Sequence, residues 1–373
     1  MINGIRIFFE TILIGSKQLQ KIEKQQHAID FQDIVKIITF VECKFEELQT
    51  SQTLVYESKK QTGLPRSLIV DFKNKSIIVL SKKNGDIQAS GVSKKVTAAV
   101  SISMRLSSDN VKEQNEAKSW ARLVNKPETV INPKEIELSR RFSNDVHLVI
   151  QYPSIKHPGI TKTTIIETRY EEDISANIVS TKKQRIKLNE QQVAKICYGV
   201  CVSLFKMHNE GFVHKDISSS NVMIRNGQAK LKDFGFAHAA DPGNKEFPKH
   251  KFISNWYGLP MYSAPEVLAE TRLDDEVKQA KAEDMYAVGC LLYELISDRQ
   301  LPWGNSVDLW NDQAHESRVR HAQRTWPQKI LHESQGETNQ ARKALLEICA
   351  ELVDPNPATR MTVDKLMSKL GPF

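Results

Sequence analysis

Three groups of residues past the middle of the chain have the types needed for chemistry on a charged oxygen group. Asp216, in His214-Lys215-Asp216, is followed five residues later by Asn221, and then by Asp233-Phe234-Gly235. A phosphoryl donor carries metal-neutralised charge, so a site that acts on one needs hard oxygen ligands for Mg²⁺ and a carboxylate facing the acceptor hydroxyl. Asn221 and Asp233 offer the ligands, and Asp216 offers the carboxylate. A lone Asp and Asn in a loop usually do no more than make turns. The Asp-Phe-Gly triplet at this interval argues against that plain reading.

Elements of two kinds must hold these residues. From Leu64 the chain carries short β-rich runs. SLIVDF and KSIIVLS flank a hairpin turn at Lys73-Asn74, GVSKKVTAAVSIS and KSWARLV follow, and Arg105 to Glu116 reads as a loop. KEIELSRRF has a helical texture, and HLVIQY and KTTIIETRY complete the strand-rich part. Beyond about Arg169 helices take over. In LNEQQVAKICYGVCVSLFKMHNEG, Asn189 is the expected N-cap and Gly211 the expected stop. Between them Val193, Ile196, Cys197, Val200, Cys201 and Leu204 mark one apolar face. DMYAVGCLLYELI, beginning at Asp284, is apolar all round, as a helix buried in a helical lobe should be. Residues 1–64 carry no motif. Leu19, Ile22, Ile29, Ile34, Ile37, Ile38, Val41 and Phe45 recur at helical spacing there, which predicts a mostly helical extension that caps the following domain or docks a partner protein.

Composition bounds the function classes. Apolar residues make up 40% and charged residues 26% of 373, an ordinary globular balance that excludes wholesale disorder. A net charge of +7 spread over this length favours anionic ligands such as ATP without being a nucleic-acid signature. The five cysteines are scattered and lack zinc spacing, which predicts buried free thiols in a reducing compartment. The apolar N-terminus carries Arg6 and Glu10 and no small-residue cleavage site, so a cleavable signal peptide is not expected. No run is long and apolar enough for a membrane span. The expected location is cytoplasmic, in its own cell or, by export without a cleavable signal, in another.

Further blocks complete the pattern: WYGLPMYSAPEV, then Asp284, then DPNPATRMTVDKL near the end. With these the chain, from about residue 76 to 370, resembles the eukaryotic-type protein kinase family, nearer its Ser/Thr branch. The resemblance implies an α+β bilobal fold. A strand-rich N-lobe (about 65–168) would precede a helical C-lobe (about 169–373), and ATP and Mg²⁺ would be the cofactors with a protein as substrate. It makes Asp216 the catalytic carboxylate, and Asn221 and Asp233 the Mg²⁺ ligands. Glu135 would be the glutamate of helix C, and Glu167-Thr168-Arg169 the hinge that meets adenine, with Ile166 as gatekeeper. The glutamate of Ala264-Pro265-Glu266 would pair with Arg360, and Asp284 would steady the catalytic loop from below. His214 would be structural.

The chain departs from that family at three places. Laying Val96 and Ala99 on V-x-x-A puts Gly91 on the second glycine of the phosphate loop, but Ala89 and Lys94 on the first and third. Glycine there lets backbone N–H groups approach phosphate closely, a role a lysine side chain could share. The strand-three lysine is replaced by Arg122, whose planar fork differs from a point charge, with Lys118 and Lys126 as alternatives. Ser218 and Leu259 stand where Ser/Thr kinases carry the Lys and Thr that cluster with the catalytic Asp. Lys215 precedes that Asp, as the basic residue does in kinases controlled by activation-loop phosphorylation, and Ser254 and Tyr257 are the available acceptors. Three functions follow: a protein Ser/Thr kinase, a nucleotide-binding pseudokinase acting as scaffold or allosteric partner, and a small-molecule phosphotransferase sharing the H-x-D-x-x-x-x-N plan. The Ala-Pro-Glu block with Arg360 speaks against the third.

Overall fold

The computed structural model describes residues 53–56, 68–71, 76–80, 87–90, 94–103, 118–125, 133–143, 146–153, 161–168, 172–173, 188–225, 228–241, 243, 259–269, 274–297, 301–303, 313–371 and 373. Gly91, Lys126, Arg169, Ser254, Tyr257, the Arg105–Glu116 loop and the helical pattern of residues 1–52 lie outside them. The chain divides into two units, one of residues 1–131 with 145–169, the other of residues 132–144 with 170–373.

The first unit is built on an antiparallel sheet of eight strands. These are β1 (Thr53–Tyr56), β2 (Leu68–Asp71), β3 (Ser76–Leu80), β4 (Ile87–Ser90), β5 (Lys94–Ser103) and β6 (Lys118–Asn125), followed after an intervening helical segment by β7 (Val146–Pro153) and β8 (Thr161–Thr168). Their order is β1-β2-β3-β5-β6-β8-β7, and β4 also pairs with β5. Asp71 pairs with Ser76 across the expected hairpin. The ten residues of β5 serve two neighbours along one edge, β4 through Lys95–Thr97 and β3 through Ala99–Ser103. The sheet begins earlier than the change of texture at Leu64 suggests. Thr53–Tyr56, in the stretch expected to be helical, is a strand paired with β2. Its TLVY is β-branched and aromatic, the local preference that a helical period read over the longer stretch obscures.

The helical segment between β6 and β7, α1 (Pro133–Leu138), continues as a π turn over Ser139–Ser143. By sequence it belongs to the strand-rich part, yet it clusters with the second unit. Leu138 and Phe142 pack there on Met207, Phe212, Phe234, Ala237 and Ala239. The carbonyls at its C-terminal end accept from lysines of that unit, Arg141 O from Lys206 Nζ at 3.1 Å and Ser143 O from Lys230 Nζ at 3.0 Å. Cations suit a helix C-terminus because its last carbonyls lack intrahelical donors.

The second unit continues with β9 (Glu172–Asp173), α2 (Glu190–Asn209), β10 (Phe212–Val213), β11 (Val222–Arg225), β12 (Gln228–Leu231), β13 (His238–Ala239), α3 (Pro265–Leu268), α4 (Glu276–Ser297), α5 (Gln313–Gln335), α6 (Gln340–Leu352) and α7 (Val363–Leu370). Asn189 caps α2 in a reciprocal box with Gln192, both bonds 2.9 Å. Gly211, at φ +77°, takes the left-handed turn that ends it. The predicted apolar face of α2 is buried throughout. Gly199 on that helix admits the main chain of β12, since a Cβ there would lie 2.5 Å from Ala229 O. The core around α2, α4 and α6 takes in Cys197, Cys201, Cys290 and Cys349, all free and buried. Burial pushes the Cys197 thiol up to about 12, so it behaves as an apolar group.

Candidate functional site

Two short strand pairings bring the candidate residues together. Val213 pairs with His238, so the loop leaving β10 and the loop entering β13 start and end side by side. Val222 pairs with Leu231 in the β11–β12 hairpin, and beyond that pair Lys232 N donates to Asn221 O at 2.8 Å. His214-Lys215-Asp216 follows β10, Asn221 precedes β11, and Asp233 follows β12. Three segments far apart in local sequence signals are thereby fixed by hydrogen-bond register.

Within that frame Asn221 Nδ2 donates to Asp216 Oδ2 at 2.7 Å and to Asp216 O at 2.8 Å. The amide nitrogen is thus committed to Asp216, and the amide oxygen is what Asn221 can offer a hard cation. Asp233 is exposed and sits at φ 61°, with its Oδ1 accepting from Gly235 N at 3.3 Å. Burial pushes the Asp216 carboxyl up to about 6, opposed by the Asn221 bond and by a main-chain bond from Leu259, while the charge of Asp233 adds to the rise. Leu259 stands where the family would carry a threonine hydroxyl, so only its main chain, and no side-chain donor, acts on Asp216 from that position. Ser218, in place of the lysine, is buried and shares a 2.8 Å hydrogen bond with Ser220. Among the described residues no three His, Cys, Asp or Glu side chains form a metal cage. The residues present fit Mg²⁺ held by one or two protein oxygens and completed by phosphate and water, rather than an all-protein site.

Asp284 supports the loop from α4. Its Oδ2 accepts from His208 Nε2 and His214 N, and its Oδ1 from Lys215 N, each at 2.9 Å. Burial alone would raise its pKa, but the His208 bond, the nearby positive charges and the main-chain donors hold it at about 2. This grip holds Lys215 at φ 66°, a left-handed conformation unusual for a side chain of that size. His214 is buried against Phe234, with ring centroids 5.1 Å apart, and its Nδ1 accepts from Asp216 N at 3.2 Å. Burial lowers its pKa, which suits the structural role expected for it.

Glu135, on α1, lies at the Asp-Phe-Gly turn, its Oε2 3.9 Å from where a Cβ on Gly235 would stand. Arg122, in the sheet of the other unit, pairs with Thr97 on β5 and Ile166 on β8. Lys118 opens β6 opposite Ser101, Lys94 opens β5 opposite Asn125, and Glu167 on β8 pairs with Ala121. These are backbone positions, and they bring Arg122 and Ile166 to one register row.

The segment after Leu259 is stapled to the second unit. Glu266 and Arg360 form a bidentate buried pair, Nη1 to Oε1 at 2.6 Å and Nη2 to Oε2 at 2.8 Å, as expected for the two. Tyr262 OH donates to Glu294 on α4 and accepts from Ser219 N at 3.2 Å. Trp303 Nε1 reaches Met261 O, and Gln323 Nε2 reaches Ser263 O, each at 2.9 Å. The Ser219–Tyr262–Glu294 chain was not foreseen. Its one signal in the sequence is a glutamate inside an otherwise apolar helical run.

Burial pushes Glu294 from 4.5 up to about 7, against the Tyr262 bond, which lowers it. Between those values the folded state holds a proton that the unfolded chain releases, so this group's contribution to stability falls as pH rises from about 4.5 to 7. Glu294→Gln keeps an acceptor for Tyr262 and is expected to flatten that slope in urea midpoints between pH 5 and 8. Glu294→Ala leaves the hydroxyl unpartnered and is expected to lose about 1–3 kcal/mol. An unchanged slope in the Gln variant would contradict the assignment.

Residues 109–370 match the protein kinase domain family. The chain belongs to that family, and with membership comes the two-lobed kinase fold. Among curated relatives, serine/threonine-protein kinase PAK 5 of Rattus norvegicus is 34% identical over 124 residues, covering 33% of this chain and 16% of its own length. Mitogen-activated protein kinase kinase kinase 17 of Arabidopsis thaliana is 35% identical over 118 residues, 31% of this chain and 28% of its own. Serine/threonine-protein kinase 36 of Pongo abelii is 29% identical over 165 residues, 43% and 11%. The matched stretches span less than a third of each relative's length. Among the described residues no helix is long and apolar enough to cross a membrane.

Proposed function

We propose that this chain transfers the γ-phosphoryl group of ATP to Ser or Thr hydroxyls of a protein substrate, with Asp216 as the acceptor-facing carboxylate. The observation that carries this is the half-buried Asp216 carboxylate, oriented by Asn221 Nδ2 at 2.7 Å, with Asp233 near enough for its charge to act on it. Mg²⁺, when bound through Asn221 and Asp233, would neutralise charge on the donor phosphates. Asp216 would orient the incoming hydroxyl and take its proton as the new bond forms. On the first unit Lys94, Gly91 and Arg122 would be the residues for phosphates and Glu167 and Arg169 those for adenine, while Glu135 would serve nucleotide binding from α1 of the second unit. The working compartment of such an enzyme would be the cytoplasm, where ATP and Mg²⁺ are at hand, and residues 1–64 would be the place for a partner protein to engage.

A second reading is a nucleotide-binding pseudokinase that acts as a scaffold. Arg122 in the lysine position and the sparse glycines before β5 favour it. Turnover separates the two. Purified protein given Mg²⁺, γ-labelled ATP and a mixed Ser/Thr protein substrate is expected to transfer label. Nucleotide binding without transfer, over a range of substrates, would support the scaffold instead.

A further inference from the structure

Lys215 is held at both ends by consecutive residues of α4. Asp284 accepts from its main-chain N at 2.9 Å, and Glu283 Oε2 forms an ion pair with its ammonium. The pair is enclosed, with side chains 11% and 15% exposed. Glu283 is itself steadied from one helical turn earlier, Gln279 Nε2 donating to its Oε1 at 3.2 Å. Lys215, Asp216, Leu259, Glu283 and Asp284 line one small pocket. The residue so gripped directly precedes Asp216 and is in the left-handed conformation. Backbone strain of this kind persists only where the surroundings over-determine it.

We propose that Glu283 is a positioning residue for Asp216, an internal counter-ion that orders the catalytic loop without a phosphate on the segment before Leu259. The proposal deepens the kinase reading and rests on it for its catalytic consequence. An enclosed ammonium needs an anion, because an unpaired buried charge is strongly unfavourable. A phosphate on Ser254 or Tyr257 could provide one, and in phosphorylation-controlled relatives this lysine position is where it would bind. Here a carboxylate already occupies that side of Lys215, and it comes from α4, a helix with most of its residues buried, so it is present whenever the unit is folded. Burial lowers Lys215 to about 8, with Asp284 and Glu266 drawing it back up, so the ammonium is charged at neutral pH. A second, dianionic partner would meet the carboxylates of Glu283 and Asp284 as like charges. Glu283 was invisible as a functional residue in the sequence. It is one acid beside another at the edge of an apolar run, and only the left-handed turn at Lys215 brings the ammonium to it.

The test has a wild-type arm and a variant arm. Full-length protein is treated with phosphatase until mass spectrometry finds no phosphate, and turnover is compared before and after. The expected result is the same kcat within about twofold, and a tenfold or greater loss on dephosphorylation overturns the proposal. Glu283→Gln and Glu283→Asp are then compared with wild type for kcat, for KM of ATP, and for hydrogen exchange at the Ile217–Asn221 amides. Glu283→Gln should exchange faster there and lose about tenfold in kcat, with KM changed less than twofold, and Glu283→Asp should recover part of both. Wild-type exchange and kcat in Glu283→Gln overturn it. If wild type shows no turnover in any state, the kinase reading has failed. Exchange at those amides then decides alone whether Glu283 orders the loop, and either variant that melts cooperatively serves for it.

Discussion

Asp216→Asn is expected to reduce phosphoryl transfer by about 10²–10⁴-fold, the span ascribed to a positioned acid–base group, and to leave the protein folded. Asparagine keeps an oxygen for the Asn221 bond, now 2.7 Å long, but cannot take the acceptor's proton. The wild-type pH profile should carry the same signature. The Asp216 pKa lies at about 6 rather than 3.8, so kcat/KM should fall as pH drops through 6, about tenfold per unit below it. Stability should move the other way. A carboxyl whose folded pKa is raised holds its proton in the folded state between about 3.8 and 6, so its contribution to stability is lost as pH rises across that window. The Asn variant should therefore be no less stable than wild type at pH 7, and urea midpoints check this. The carboxylate that would serve transfer works against the fold, a trade-off expected of functional sites. Transfer that survives in Asp216→Asn, or a flat rate profile between pH 5 and 7, would remove Asp216 from the role assigned to it.

Arg360→Met is expected to destabilise the protein by about 3–5 kcal/mol, the range for a buried ion pair left with one partner. The Arg360 side chain is 0% exposed, so salt would screen its pairing with Glu266 very little. More than the pair is lost. Arg360 Nη1 also donates to Ala282 O and its Nε to Asp354 O, each at 2.8 Å, and the guanidinium lies 5.1 Å from the Tyr286 ring centroid. One side chain thus joins α3, α4 and the turn before α7. Ala282 directly precedes Glu283 and Asp284, so the bond at its carbonyl helps to seat the acids that grip the catalytic loop. Turnover should fall along with the urea midpoint. Glu266→Leu with Arg360→Met removes both charges and is expected to recover part of the stability, though the carbonyls of Ala282 and Asp354 still lose their donor. A single variant with a wild-type midpoint, at low and high salt alike, would show that the pair contributes little.

Much of the helical unit was legible because its signals are local. Asn189 with Gln192 three residues on, Gly211 where a left-handed residue is needed, and the apolar face of α2 each lie within a turn or two of what they control. The strands from Leu68 to Thr168 were legible for the same reason, as β-branched runs between turn residues. Thr53–Tyr56 was missed because four residues of strand preference inside a longer helical period are outvoted until β2 supplies a partner. By its place in the sequence α1 belongs to the strand-rich half, since it lies between two of that half's strands. It clusters with the other unit because Leu138 and Phe142 find their apolar partners there.

The order of motifs was determined by the sequence alone: residue type and interval suffice to state Asp216, Asn221 and Asp233, and the family resemblance those motifs carry adds Glu266, Asp284 and Arg360. Tertiary structure decided what each of them touches. Register in two short strand pairs brings Asn221 to Asp216. The left-handed turn at Lys215 turns an ordinary basic residue toward Glu283. Burial raises Asp216 and Glu294, while the His208 bond, the neighbouring positive charges and the His214 main-chain donor lower Asp284, though all three are carboxylic acids. A carboxylate's chemistry depends on the water and the donors around it, and those are supplied by residues tens of positions away in the chain.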